Sequence, residues 1–165
     1  ILKLNRLENQ QIFPEKKMYN LTEQICECLL MFEYAWEKKN IEIETDIQED
    51  VMIYQDEELL SLVWNNLFSN AIKFCKENGT VSVKISRHDD KVTVEVSDTG
   101  CGISSDVGKH IFEKFYQGDT SHATHGNGLG LALVKRVIDI TGGDISVLSV
   151  LGEGTTFKVI LEEKG

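Results

Sequence analysis

The chain has 165 residues, of which 41% are hydrophobic, and carries 17 basic against 27 acidic side chains for a net charge of -10. That length buries one substantial core, so a single α/β domain is expected, and the apolar content argues against disorder. The acidic balance disfavours broad nucleic-acid binding, and neither a membrane-spanning apolar run nor a signal peptide is recognisable.

The first elements are helical. Ile1, Leu4 and Leu7 form a short stripe that ends before Pro14. Because the chain starts with Ile1 rather than methionine, in what reads as helix, it is expected to be a fragment of something longer. Residues 20–39 predict one helix, with Asn20 as cap, Glu23 completing a capping-box-like pair, and Leu21, Ile25, Cys28, Leu29, Phe32 and Trp36 as its buried stripe. Ile41 to Ile47 alternates as a half-buried strand, and Val51 to Tyr54 adds a short one. Four cysteines, Cys26, Cys28, Cys75 and Cys101, lack the close pairing of a structural zinc site and read as reduced packing residues.

The helix predicted over 56–74 buries Leu60, Val63, Leu67 and Ala71, while Asn66, Asn70 and Lys73, spaced four then three apart, share a second face. Short amides suit a magnesium ion that keeps most of its water, and a lysine places positive charge near phosphate oxygens. Val81, Val83 and Ile85 and then Val92, Val94 and Val96 mark two strands joined at Asp89-Asp90 as an antiparallel hairpin. The second strand delivers Asp98-Thr99-Gly100-Cys101-Gly102-Ile103, a carboxylate followed by a glycine turn. Ile111 to Tyr116 follows, then a polar stretch from Gln117 to Asn127 that disfavours a packed element. Gly126-Asn127-Gly128-Leu129-Gly130-Leu131 runs into a helix marked by Val134, Val137 and Ile138 and closed at Gly142-Gly143, whose amide-rich start can hold phosphate charge. A last hairpin carries Ile145 and Val147 against Phe157, Val159 and Leu161, joined through Gly152-Glu153-Gly154-Thr155.

In this order the motifs around Asn66–Phe74, Asp98–Ile103, Ile111–Tyr116 and Gly126–Leu131 resemble the N, G1, F and G2 boxes of the catalytic, ATP-binding domain of bacterial sensor histidine kinases, relatives of DNA gyrase B, Hsp90 and MutL. The resemblance covers roughly residues 13 to 163. It implies a Bergerat-type two-layer α/β sandwich with a mixed, mainly antiparallel sheet. It also implies Asn70 on magnesium, Asn66 and Lys73 at the metal-triphosphate, and Phe74 beside the nucleotide. Asp98 then accepts from adenine's exocyclic amine, with Gly100, Gly102 and Ile103 shaping the pocket. Phe112 and Phe115 anchor a lid over residues 117–127, and Gly126, Gly128, Leu129, Gly130 and Leu131 cradle phosphate. Thr155 lies in a glycine turn bordering the pocket, although a plain hairpin turn accounts for that stretch equally well.

Family members present Mg-ATP to a histidine on a dimerisation domain, for onward transfer to an aspartate of a response regulator. None of His88, His110, His122 and His125 lies on a dimerisation helix as that acceptor does; His88 precedes Asp89, but at the hairpin turn between two strands. Residues 1–12 are therefore expected to be the tail of the dimerisation helix and linker, and 13–165 the catalytic domain. The expected parent is a homodimeric, membrane-anchored sensor, with this part cytoplasmic and not itself touching membrane or nucleic acid. Where hydrolytic relatives place a water-activating glutamate, four residues before the magnesium ligand, this chain has Asn66, and an amide is no general base. An anti-sigma serine kinase-like protein and a non-catalytic ATP-binding regulator remain as alternatives.

Overall fold

The computed structural model describes residues 12–103, 111–112 and 128–162. Among these the elements run β1 (Lys17–Asn20), α1 (Leu21–Leu30), α2 (Glu33–Lys38), β2 (Glu42–Ile47), β3 (Met52–Gln55), α3 (Glu57–Phe74), β4 (Thr80–His88), β5 (Lys91–Asp98), α4 (Gly128–Thr141), β6 (Asp144–Val150) and β7 (Gly154–Glu162).

Period-two apolar patterning builds the main sheet. Its order is β2-β4-β5-β7-β6, with β2 parallel to β4 and every other neighbour antiparallel. Val81, Val83 and Ile85, then Val92, Val94 and Val96, then Phe157, Val159 and Leu161 all point into the core. Residues between them, such as Ser82, Lys84, Thr93, Glu95 and Lys158, stay half-buried or exposed on the opposite face. Among the described residues the helices therefore cover one side of the sheet, giving the expected two-layer sandwich with a mixed, mainly antiparallel sheet. The β4–β5 hairpin turns at Asp89-Asp90, with Asp89 in the left-handed region at φ 58° that aspartate tolerates.

Helix α3 is the centre of the helical layer, packing on β5 beneath and between α1 and α4. This explains why it buries more than a single stripe: Leu59, Trp64, Phe68 and Ile72 join the expected Leu60, Val63, Leu67 and Ala71. Its start is fixed by Asp56, whose Oδ1 accepts from the Leu59 N–H at 3.0 Å and whose Oδ2 accepts from the Glu15 N–H at 2.8 Å. At its side, the buried Gln24 accepts from Tyr19 Oη at 2.7 Å and Trp64 Nε1 at 2.9 Å, linking β1, α1 and α3. Helix α4 closes through a left-handed Gly142 at φ 77°, with the Gly143 N–H on the Ile138 carbonyl and the Gly142 N–H on Asp139.

Two features differ from expectation. The single helix over 20–39 is broken after Leu30: the Met31 and Phe32 N–H groups bond three residues back, to Cys28 and Leu29, and α2 restarts at Glu33. The apolar stripe survives the break, because Leu21, Ile25 and Leu29 are buried and Cys28, Phe32 and Trp36 pack against the same core. Asn20 does cap α1, accepting from the Glu23 N–H at 3.0 Å. Strand β1 is the second difference. It pairs antiparallel with β3, Lys17 opposite Gln55 and Asn20 opposite Met52, in a separate two-stranded sheet. The stripe at Ile1, Leu4 and Leu7 lies outside the described residues.

Candidate functional site

The site is assembled where α3 ends against the end of β5. At Cys75 the backbone leaves the helix for an extended conformation and forms an antiparallel bridge with Gly100. Because of that bridge, the last turn of α3 lies against the Asp98-Thr99-Gly100 segment. Gly100 is required there, since a Cβ would fall 2.1 Å from the Phe74 carbonyl oxygen and 2.6 Å from Asp98 Oδ1. Gly100→Ala is expected to lower the unfolding free energy by about 3 kcal/mol, because backbone must move to admit the methyl. Gly142→Ala, with nothing within 4 Å and only its φ of +77° to strain, should cost about 1 kcal/mol. Urea unfolding of both variants tests the ranking.

Asp98 closes β5 between Val81 of β4 and Thr155 of β7. Its Oδ1 accepts from the Gly100 N–H at 2.8 Å. Burial pushes its carboxyl pKa up to about 6, partly opposed by that hydrogen bond and by the Lys39 ammonium. A half-buried carboxylate with one backbone donor on one oxygen suits a ligand that brings a further N–H.

On α3, Asn66 and Asn70 are half-buried, Lys73 is exposed and Phe74 half-buried. Asn70 sits four residues before Phe74, and Asn66 four further back, each step a rise of about 6 Å along the axis. The Asn66 amide donates to the Leu62 carbonyl at 2.7 Å, so its nitrogen is turned to its own helix. Lys73 Nζ lies 5.9 Å from the centroid of the Phe74 ring, and partial burial lowers its pKa.

The opposite wall comes from the β6–β7 hairpin. Gly102, at φ 73°, runs against it so closely that a Cβ would meet the Val150 carbonyl oxygen at 2.2 Å. The Ile103 N–H donates to Ser149 Oγ at 2.7 Å, and the same hydroxyl contacts the Gly154 carbonyl at 3.0 Å and Thr155 Oγ1 at 2.8 Å. Ser149 thus ties the loop after Asp98 to the turn holding Thr155, which is buried. Phe112 packs edge-on against Phe157, with ring centroids 6.2 Å apart.

The structure therefore brings Phe74, Asp98, Gly100, Gly102, Ile103 and Thr155 together, with Asn66, Asn70 and Lys73 along the adjoining helix. Gly128 and Leu129 open α4, Gly130 follows half-buried, and Leu131 packs partly buried on the core. Phe115 and Gly126, like His110, His122 and His125, lie outside the described residues. Sequence reasoning missed Ser149 and Lys39. Ser149 left a signal, because it occupies the inward register of β6 after Ile145 and Val147, where an apolar residue is expected. Lys39 left none, since the carbonyls it holds, those of Ile72, Lys73 and Cys75, are more than thirty residues away.

The half-buried carboxylate beside a glycine that admits no Cβ, with amides and a lysine along the adjoining helix, is a donor and acceptor set that fits an adenine nucleotide with a magnesium ion. Residues 55–165 match the family described as histidine kinase-, DNA gyrase B-, and HSP90-like ATPase. The chain is 32% identical over 163 residues to the sensor-like histidine kinase SenX3 of Mycobacterium tuberculosis strain H37Rv, covering 98% of this chain and 40% of that protein. It thus spans less than half the length of that relative. Full-length ShkA in complex with AMPPNP superposes with a TM-score of 0.83 at 31% identity, over 97% of this chain and 34% of that one. Histidine kinase ThkA in complex with the response regulator protein TrrA gives 0.81 at 26% identity, over 99% and 46%.

Proposed function

The chain belongs to the histidine kinase-, DNA gyrase B-, and HSP90-like ATPase family as a histidine-kinase-like catalytic domain, and from that premise we propose that it presents the γ-phosphate of Mg-ATP to a histidine on a separate dimerisation domain. The acceptor histidine then passes its phosphoryl group to an aspartate of a response-regulator receiver domain. The observation that carries this reading is the half-buried Asp98 carboxylate, held by Gly100 against the end of the helix that bears Asn66, Asn70 and Lys73.

When bound, Mg-ATP supplies the phosphoryl group. The chain's own residues bind and orient. Asp98 selects the base by accepting from an exocyclic amine, and Phe74, Gly100, Gly102, Ile103 and Thr155 shape the space around it. Asn70 holds the magnesium, and Asn66 and Lys73 support the triphosphate. The starts of the glycine box and of α4, with Gly126, Gly128, Leu129, Gly130 and Leu131, offer backbone amides to phosphate. Catalysis by positioning and electrostatic stabilisation fits this set, because no side chain here has to act as a base. With Asn66 in place of a carboxylate, and its amide nitrogen turned to Leu62, activation of water is poor and hydrolysis slow.

Residues 1–12 are assigned to the tail of the dimerisation helix and its linker, and 13–165 to the catalytic domain of a homodimeric parent. ThkA, a similar kinase crystallised with a response regulator, supports the receiver domain as partner. Among the described residues no helix is long and apolar enough to cross a membrane; the proposed parent is a membrane-anchored sensor that carries this domain in the cytoplasm.

Base selection gives a direct test. Guanine sets a carbonyl oxygen where adenine has its amine, so two acceptors would face each other at Asp98. Calorimetry should find Mg-GDP at least about a hundredfold weaker than Mg-ADP. Equal affinity for the two would contradict the assignment of Asp98.

A further inference from the structure

Lys39 follows the last residue of α2, far in sequence from every residue placed at the site. Its Nζ donates to three backbone carbonyls at the end of α3: Ile72 at 2.9 Å, Lys73 at 3.0 Å and Cys75 at 2.7 Å. An ammonium has three N–H groups, so this set occupies all of them. The acceptors are carbonyls left without partners where a helix stops, and a cation there also meets the negative end of the helix dipole. The backbone of Lys39 joins the same junction, its carbonyl accepting from the Asn78 N–H at 3.0 Å. Next to it Asn40 donates to Asn78 Oδ1 at 2.6 Å, with both asparagines in the left-handed region at φ 55° and 65°. The α2–β2 connection and the turn after α3 are thus clamped to each other through Lys39 and Asn40.

What the clamp fixes is the stretch Phe74-Cys75. Its Cys75 bridges Gly100, and the Phe74 carbonyl lies so near Gly100 that no Cβ fits between them. Gly100 in turn donates its N–H to Asp98. We propose that Lys39 is a positioning residue for the nucleotide site: its ammonium holds the end of α3 in the place that sets Gly100, and through Gly100 the Asp98 carboxylate. This deepens the reading of Asp98 as the base-contacting residue and rests on it.

The charge of Lys39 acts in the same direction as its geometry. The ionisable side chains on the segments around Asp98 are Lys73, Cys75, Lys76, Glu77, Cys101 and Glu153. Lys76 is spent on the Gly152 carbonyl at 2.8 Å, and Lys39 is the charged group that draws the Asp98 carboxyl down against its burial. Losing Lys39 therefore removes both a restraint on the backbone and a field that favours the ionised carboxylate.

The test is Mg-ADP affinity across pH for the whole chain and for Lys39→Met, Lys39→Gln, Lys39→Arg and Asp98→Asn, with thermal unfolding of each. Lys39→Met should weaken Mg-ADP on the order of tenfold near neutral pH, as expected for a displaced contact, and move the acid midpoint of binding upward from about 6. Lys39→Gln keeps two donors without the charge and covers the case in which the methionine variant does not fold; it should show the same upward midpoint. Lys39→Arg, which keeps the charge, should hold the midpoint near that of the parent. A drop in melting temperature with affinity and midpoint both unchanged would make Lys39 a helix cap only and overturn the proposal. If Asp98→Asn itself leaves affinity and pH profile intact, the base-contact reading fails first, independently of what the Lys39 variants do.

Discussion

Asn70→Ala is expected to slow phosphoryl transfer from Mg-ATP to the dimerisation-domain histidine by at least about a hundredfold. The expectation follows from where α3 puts this residue. Leu67 and Ala71 on either side of it are buried in the core, whereas Asn70 is half-buried on the face that continues to Lys73. Truncating it therefore opens no cavity, and the unfolding free energy should change by no more than about 0.5 kcal/mol. A single-turnover transfer assay with a urea melt separates the two effects. A loss of transfer accompanied by a matching loss of stability would assign Asn70 to the fold and remove it from the proposed chemistry.

Asp98→Asn is expected to produce a protein that is more stable at neutral pH and binds nucleotide more weakly. In the folded chain the Asp98 carboxyl is raised from 3.8 to about 6. A carboxyl whose folded pKa lies above its unfolded value contributes stability in the protonated form, and that contribution is lost as pH rises from about 4 to about 6. Above that window the ionised, half-buried group costs about 1–2 kcal/mol once solvent screening is allowed for. Asparagine removes this cost. It also replaces one acceptor oxygen by an NH2 group, so with Oδ1 kept on the Gly100 N–H its other face offers a donor to adenine's donor. Affinity for Mg-ADP should fall by about a hundredfold near pH 7.5. In the parent chain affinity should weaken on acidification through about pH 6, and the ratio of parent to variant affinity, which cancels the titration of the nucleotide's own phosphates, should shrink with it. A ratio that is flat across that window would show that the ionised carboxylate is not what the ligand meets.

These expectations lean on parts of the molecule that differ in how readable they were. Helix α3 and the β4–β5 and β6–β7 hairpins were legible because each repeats one period, 3.6 or 2, for long enough to define a face. The close approaches were only half legible. The order Asp98, Gly100, Gly102 announces a tight turn, but nothing local says that Gly100 must touch the Phe74 carbonyl or that Gly102 must touch Val150. Thr155 was readable as a turn residue, and only the β5–β7 register places it opposite Asp98. Strand β1 was missed because Met18 and Tyr19 are too few to show alternation, and its pairing with β3 joins residues more than thirty apart. The break after Leu30 was hidden for the opposite reason: the chain keeps its apolar stripe in phase across the turn. Lys39 reads as an ordinary basic residue at a helix end, and its role is visible only once the end of α3 is brought to it.

The measurement that tests the central claim most directly is transfer of labelled phosphate from Mg-ATP, through this chain, to a separately supplied cognate dimerisation domain. Label on the acceptor histidine that disappears with Asn70→Ala, and equally when that histidine is replaced, is the predicted result. Tight binding of Mg-ATP with no label reaching a folded, cognate acceptor would contradict the assignment as a histidine kinase catalytic domain and leave a nucleotide-binding regulator in its place.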